Sequence, residues 1–266
     1  YSAGEISTEE AKELIEAVEK ELHTDLIHFY AGVSYRHLLV WDGGSTKVKL
    51  TPPHDISDKK IAGHLPEGEG ADKLLELMKK SEKILKNHPV NLERIKKGKH
   101  PATSIWIWGE GTKPVLEKFE DRYGLRGSVI SAVDLIKGIA VCAGMKSIDV
   151  EGANGNHDTN YEGKADAAFD ALTKDGADFI YIHLEGPDEC GHRGESDNKK
   201  YAVEMIDKKI VGELKKRMEE AKIDYKMMIL PDHPTPIRLK THVSDPVPYI
   251  IYDPKNEKDT NLSYNE

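Results

Sequence analysis

This sequence has few cysteines, no long apolar run and fewer basic than acidic residues. Two cysteines among 266 residues cannot make a disulfide framework, which excludes an extracellular disulfide scaffold and favours a reducing cytoplasm. Acidic side chains outnumber basic ones by 47 to 38, for a formal net charge of −9. This balance argues against nucleic-acid binding and against attraction to a membrane surface. No apolar run is long enough to cross a bilayer.

Helix and strand patterns alternate along the chain. A capping box at Ser7 and Glu10 begins an amphipathic helix over residues 8–22. The alternation in the second half predicts a mostly parallel sheet flanked by helices, and the basic run over residues 94–100 indicates a domain boundary. Further predicted helices cover residues 71–87, 166–172 and 197–220, and predicted strands cover residues 27–33, 37–41, 104–108, 127–131, 178–184 and 226–230.

Five side chains of metal-binding types form two clusters in the second half. They are Asp188, His192, Asp232, His233 and His242. The first two follow the apolar run over residues 178–184, and the next two follow the run over residues 226–230. Because α/β proteins build their sites at the carboxyl ends of strands, we expect the clusters to meet. A mixed carboxylate and imidazole set can hold two divalent cations, which suits phosphoryl transfer.

Each of these residues also has a simpler interpretation. A single Asp or His in a loop is more often a cap or a solvated side chain than a ligand, and an Asp and a His four residues apart can merely share one helix face. The metal hypothesis therefore depends on the joint occurrence of the clusters. We interpret His54 and His64 as residues of a solvated loop, and Cys190, which lies among the first cluster, as a packing residue.

Three motifs resemble a known family. They are Pro187-Asp188-Glu189-Cys190-Gly191-His192, Pro231-Asp232-His233-Pro234-Thr235-Pro236, and residues 242–248. Together they closely resemble the archaeal-type branch of the cofactor-independent phosphoglycerate mutases, within the alkaline phosphatase superfamily. Residues 1–6, 32–37, 104–111, 131–138 and 158–161 agree as well. The resemblance thus extends over nearly the whole chain.

The resemblance implies an architecture and a set of ligands. Residues 1–98 would form a smaller α+β domain inserted into the fold, and residues 99–266 the C-terminal part of an alkaline-phosphatase-like domain with a mostly parallel sheet. One manganese-type ion would be held by Asp188, His192 and His242. A second would be held by Asp232 and His233, together with a serine and an aspartate from the N-terminal part of the family chain. Magnesium, zinc and cobalt also suit such a site, although the mixed oxygen and nitrogen donors favour manganese.

The resemblance also implies a reaction. In the family, the metal-bound serine is the nucleophile: it accepts the phosphoryl group from one hydroxyl of the glycerate and returns it to the other, which interconverts 3-phosphoglycerate and 2-phosphoglycerate in glycolysis and gluconeogenesis. Arg36 would hold the substrate carboxylate by a bidentate contact, and Lys137 would stabilise the transferring phosphoryl group. A surface arginine and a solvated helix lysine are the alternatives for these two residues.

The sequence departs from the family pattern at its start. It begins at Tyr1, and the family's nucleophilic serine and first metal-binding aspartate have no counterpart in it. Ser104, Ser128, Ser131 and Ser244 match other parts of the pattern. We therefore expect a truncated product or a partial gene, and no mutase turnover by these residues alone, because the covalent route needs its nucleophile. A metal-dependent phosphomonoester or phosphonate hydrolase and a non-catalytic metal-binding remnant are the alternative functions.

Overall fold

The computed structural model describes residues 2–4, 6–56, 59–257 and 262–264, and the side chain of His54 lies outside the description. The chain divides into two compact units, Tyr1–Pro114 and Val115–Glu266. The boundary predicted after residue 98 falls inside the first unit, whose core also contacts Ala102, Ile105 and Ile107. The assignment of residues 1–98 and 99–266 to an inserted domain and a phosphatase-like part stays a prediction.

The first unit packs two long helices against a small antiparallel sheet. Its elements are α1 (Thr8–Leu22), β1 (Ile27–Ala31), β2 (His37–Trp41), β3 (Val48–Lys49), β4 (Glu67–Gly68), α2 (Ala71–Lys86) and α3 (Pro89–Lys96), with short 3₁₀ turns at Pro53–Ile56 and Ile61–Gly63. β1 pairs with β2, and β3 with β4, both antiparallel. The capping box is confirmed, since the Glu10 N–H donates to Ser7 Oγ at 3.2 Å. The apolar stripes of α1 and α2 form the core, with Leu14, Val18, Leu74 and Leu77 buried.

The second unit is an α/β layer structure. Its elements are α4 (Phe119–Tyr123), β5 (Gly127–Ile130), α5 (Asp134–Cys142), β6 (Lys146–Ile148), α6 (Tyr161–Thr173), β7 (Phe179–Ile182), α7 (Gly186–Arg193), α8 (Ser196–Met205), α9 (Gly212–Glu220), β8 (Met227–Ile229) and β9 (Ile250–Tyr252). β5 lies between β6 and β7, parallel to both, and α6 packs on this sheet. The predicted parallel sheet with flanking helices is confirmed. β8 and β9 form a separate antiparallel pair.

Two sequence predictions are wrong in detail. Residues 104–108 form no strand, because the Ile105 N–H donates to Ser81 Oγ at 3.0 Å, a side chain of α2, rather than to a neighbouring strand. Residues 197–220 are not one α-helix, since a π-helical segment, Ile206–Val211, separates α8 from α9. Apolar spacing did not reveal this interruption because Ile206, Ile210 and Leu214 follow one another at four-residue intervals through the segment and into α9.

Helix length and polarity also bear on membrane insertion. Among the described residues, no helix combines the length and the apolar character that crossing a bilayer requires.

Candidate metal centre

Helix α7 brings two of the predicted ligands onto one face. Three residues separate it from β7, and Pro187 lies in its first turn, where the missing N–H costs nothing. It ends at Gly194, whose φ of 75° suits a left-handed cap. Asp188 and His192 are four residues apart and therefore neighbours on the helix surface. The simpler interpretation, a shared helix face, is thus correct as local structure, and it places both side chains on the same side of α7.

The second cluster lies in the loop that follows β8. Asp232 and His233 come directly after Pro231, and the loop then turns back on itself, because the Val243 N–H donates to Pro234 O at 3.1 Å. This hydrogen bond returns His242 to the neighbourhood of His233, with 3.8 Å between the two ring centroids. The chain from β8 to β9 thereby brings all three residues to one place.

The donor atoms of Asp188, His192 and His242 converge. Asp188 Oδ2 is 3.4 Å from His192 Nε2, Asp188 Oδ1 is 3.3 Å from His242 Nε2, and the two Nε2 atoms are 2.9 Å apart. Ligand atoms about 2.1 Å from one tetrahedral ion lie about 3.4 Å from each other. The two distances from Asp188 match this value, and the two imidazole nitrogens, which lie at hydrogen-bond distance, would move slightly apart to share a divalent cation.

A backbone contact orients the His192 ring for this role. His192 Nδ1 lies 3.0 Å from Lys240 O. Because a carbonyl oxygen only accepts, Nδ1 carries the proton and Nε2 presents its lone pair. Metal-binding histidines are commonly held in this way by a partner on their other nitrogen.

His233 joins the two clusters, whereas Asp232 lies at their margin. The donor atoms of Asp188, His233 and His242 all lie within 4.8 Å of one another. Asp232 Oδ2 is 3.4 Å from His233 Nε2, but its side chain is 65% exposed. The two sequence clusters thus meet. Asp188 lies near His233 and His242, and His242 lies near His192. The division of the five side chains between two ions stays a prediction.

Thr235 is a residue of the centre that sequence reasoning missed. Its hydroxyl hydrogen-bonds to Asp188 Oδ1 and lies 3.3 Å from His233 Nδ1, so that one buried side chain contacts both clusters. α7 packs closely against Thr235 at Gly191, where a Cβ would lie only 2.5 Å from Thr235 O. The glycine and the threonine are both in the motifs quoted for the family resemblance, but only the fold reveals their contact.

Lys164 is a second missed residue. It is fully buried on α6, and its ammonium donates to His183 O at 3.3 Å, directly after β7. Burial lowers the pKa of Lys164, and the Glu185 carboxylate opposes this shift. Burial likewise lowers the pKa of His183, whose Nδ1 lies 3.3 Å from the Tyr181 hydroxyl. The sequence contained one sign of this burial: Lys164 lies on the face of α6 that is otherwise apolar, with Tyr161, Ala165 and Ala168.

The remaining predicted residues make contacts with other groups. Lys137, on α5, donates to Asp149 Oδ1 at 2.6 Å. Arg36 is exposed in the first unit, with its guanidinium carbon 4.8 Å from the centroid of the Tyr35 ring. Of the serines considered as nucleophiles, Ser104 is in the first unit and bonds to Met78 O, and Ser128 and Ser131 are buried in or directly after β5.

Comparison with known proteins identifies relatives of the whole chain. Residues 37–266 match the metalloenzyme superfamily. A Geobacter sulfurreducens protein, a probable 2,3-bisphosphoglycerate-independent phosphoglycerate mutase, is 49% identical over 99% of this chain and 65% of its own length. The Methanosarcina barkeri 2,3-bisphosphoglycerate-independent phosphoglycerate mutase is 48% identical over 100% of this chain and 67% of its own length. The chain thus spans about two thirds of the length of these relatives.

A solved structure supports the fold. The PH0037 protein of Pyrococcus horikoshii superimposes with a TM-score of 0.74 at 26% identity, covering 94% of this chain and 60% of that one. Membership of the superfamily implies divalent metal binding, which agrees with the donor set around Asp188. The chain belongs to the metalloenzyme superfamily and, within it, to the family of the archaeal-type 2,3-bisphosphoglycerate-independent phosphoglycerate mutases.

Proposed function

We propose that this chain carries most of the metal centre of a phosphoglycerate mutase that interconverts 3-phosphoglycerate and 2-phosphoglycerate without 2,3-bisphosphoglycerate. The convergence of Asp188, His192 and His242, with ligand-like separations between their donor atoms, is the observation that carries the proposal. The names of the relatives, which are about half identical to this chain, supply the reaction.

The proposed centre holds two divalent ions, preferentially manganese. Asp188, His192 and His242 would bind one ion, and Asp232 and His233 would contribute to the other. When bound, the ions neutralise charge on the transferring phosphoryl group and lower the pKa of an attacking hydroxyl. The protein's own contribution is orientation: Lys240 O fixes the His192 ring, and Thr235 positions Asp188 against His233. The nucleophilic serine and a further aspartate would come from outside residues 1–266.

Two cationic residues are proposed to handle the substrate. Lys137 would stabilise the phosphoryl group, for which its ammonium must exchange the Asp149 carboxylate for phosphate oxygens. Arg36 would bind the glycerate carboxylate, and its exposed guanidinium has the planar geometry that this contact needs. Residues 1–98 would then be the inserted, substrate-capping domain and residues 99–266 the C-terminal part of the phosphatase-like domain. The protein would then be cytoplasmic and glycolytic. It would bind a small phosphorylated acid, and neither nucleic acid nor a membrane.

Mutase activity and metal content, measured together, test this proposal. Residues 1–266 and the product of the complete reading frame that contains them are assayed with 3-phosphoglycerate and Mn²⁺. We expect both to bind Mn²⁺ and only a product that also supplies the serine to turn over, with activity lost in its Asp188→Asn variant. Turnover by residues 1–266 alone would overturn the assignment of the nucleophile. Phosphate release from monoesters without mutase turnover would establish the hydrolase alternative. Metal binding by the complete product without either activity would establish the non-catalytic one.

A further inference from the structure

A second group of potential metal ligands lies around Cys190, on the other side of helix α7. At about 100° per residue, Cys190 projects roughly 200° away from both Asp188 and His192. Its side chain is fully buried. There the thiol meets His157, from the segment before α6, and Glu195, from the turn between α7 and α8. One donor atom from each of the three residues lies within 4.8 Å of the other two.

The His157 imidazole has a nitrogen that is available to bind a ligand. Its Nδ1 atom is buried and has no hydrogen-bond partner in the described part of the chain, and an unsatisfied buried nitrogen is costly. The backbone around it is fixed, because the Tyr161 hydroxyl donates to His157 O at 2.9 Å. A Cβ at Gly186 would lie 3.1 Å from His157 Cα, so the close packing of α7 on this segment requires glycine.

Glu195 supplies a fixed negative charge to the same place. Its carboxylate accepts from Arg193 Nε at 2.8 Å, from Arg193 Nη2 at 3.3 Å and from Asn198 Nδ2 at 3.0 Å. The Arg193 hydrogen bonds, followed by the one from Asn198, lower the pKa of Glu195 to about 2. The Arg193 guanidinium also lies 3.8 Å from Cys190 Sγ. The three hydrogen bonds to Glu195 leave one of the about four acceptor positions of a carboxylate for a cation. Arg193 offsets one of the two negative charges that the thiolate and the carboxylate would bring together.

We propose that His157 Nδ1, Cys190 Sγ and the Glu195 carboxylate bind a zinc-type divalent cation. Sulfur, nitrogen and oxygen donors together select such borderline-soft ions, whereas the set around Asp188 contains only oxygen and nitrogen donors. Binding deprotonates the thiol, and the proton is released to solvent. A water molecule completes the four ligands. The ion would tie the segment before α6 to α7 and so hold in place the helix that presents Asp188 and His192.

Cobalt spectroscopy tests this site independently of any activity. Co²⁺ bound to a thiolate gives a charge-transfer absorption in the near ultraviolet, which Asp and His ligands do not give. We expect residues 1–266 to develop this band at one equivalent of sulfur-bound Co²⁺, and excess Zn²⁺ to abolish it. The Cys142→Ser variant is the matched control, because Cys142 is the other cysteine of the chain, and it should keep the band.

Variants then assign the ligands. Cys190→Ser and His157→Gln are each expected to lose the band. His157 is only half buried, so His157→Gln tests the site should Cys190→Ser fold poorly. Asp188→Asn is expected to keep the band, which separates this site from the proposed mutase centre. No band in the parent protein, a band that survives His157→Gln, or a band lost in Cys142→Ser would overturn the proposal.

Discussion

A buried arginine of the first unit and a partly exposed aspartate of the second have different surroundings. In the first unit, Arg94 is 1% exposed, and the protein itself satisfies it: its guanidinium donates to the Glu10 carboxylate, to Ala3 O and, at 2.9 Å, to His100 O. In the second unit, Asp188 is surrounded by imidazole nitrogens. Its one hydroxyl partner is Thr235 among the described residues.

This contrast separates a structural charge from a functional one. Arg94 ties the start of the chain and α1 to α3 through groups of fixed position, and the ion pair completes a fold. The cluster around Asp188 contains more electron-pair donor atoms than hydrogen atoms that they could share in hydrogen bonds. A cation-binding centre needs such free electron pairs. We therefore expect substitutions to affect stability in the first unit and metal affinity in the second.

Asp188→Asn should have the largest effect. The amide keeps the shape but removes the carboxylate that lies closest to both His192 and His242. We expect the affinity for Mn²⁺, measured by calorimetry, to fall by more than the roughly 10- to 100-fold typical of losing an outer-shell partner. The free energy of unfolding of the metal-free protein should change by about 1 kcal/mol or less. Unchanged Mn²⁺ affinity would remove Asp188 from the proposed centre.

Arg94→Met should reverse this pattern. It keeps the apolar stem but leaves Glu10 and two carbonyl oxygens without their donor, and breaking a buried ion pair costs about 3 kcal/mol. All three tryptophans, Trp41, Trp106 and Trp108, are in the first unit, so fluorescence during urea unfolding reports on that unit.

A matched variant controls for the loss of one positive charge. Lys97→Met removes an exposed lysine that pairs with Glu93, and its effect should stay within about 0.5 kcal/mol. Mn²⁺ affinity should be unchanged in both variants. If Arg94→Met were as mild as Lys97→Met, the buried pair would not be a structural element of the first unit.

Thr235→Val tests whether orientation matters within the centre. Valine keeps the buried volume and removes the hydroxyl that contacts Asp188 and His233. We expect Mn²⁺ affinity to fall about 10- to 100-fold, as for other outer-shell partners, and Thr235→Ser to restore it. Thr173→Val is the control, since its hydroxyl only donates to Phe169 O within α6. Equal affinity in Thr235→Val and the parent protein would show that the ligands orient themselves.

The difference between local and long-range contacts explains how much of the structure could be predicted from the sequence. Periodic burial specifies α1 and α2, and both helices form as predicted because every turn repeats the same local rule. The two clusters of candidate ligands could also be picked out, since each begins shortly after a predicted strand. Their mutual contacts depend on how the loop after β8 turns back at Val243 and on how closely α7 packs at Gly191. Such contacts join residues about fifty positions apart, and no local pattern encodes Thr235 as a bridge or His157 as a neighbour of Cys190.

Asp178→Asn should have the smallest effect and tests a structural charge placed in the second unit. Asp178 precedes β7 and accepts from Arg126, before β5, through both the guanidinium and the backbone N–H. The Arg126 side chain, followed by its N–H, lowers the pKa of Asp178. A depressed folded-state pKa stabilises the fold above the unfolded value of about 3.9, and this contribution is lost as the pH falls through the folded pKa. The melting temperature of Asp178→Asn should therefore be lower than that of the parent at neutral pH, and the difference should shrink in acid. On an Arg126→Met background the difference should be smaller at every pH. A difference that persists unchanged in acid would mean that Asp178 stabilises the sheet by its shape rather than by its charge.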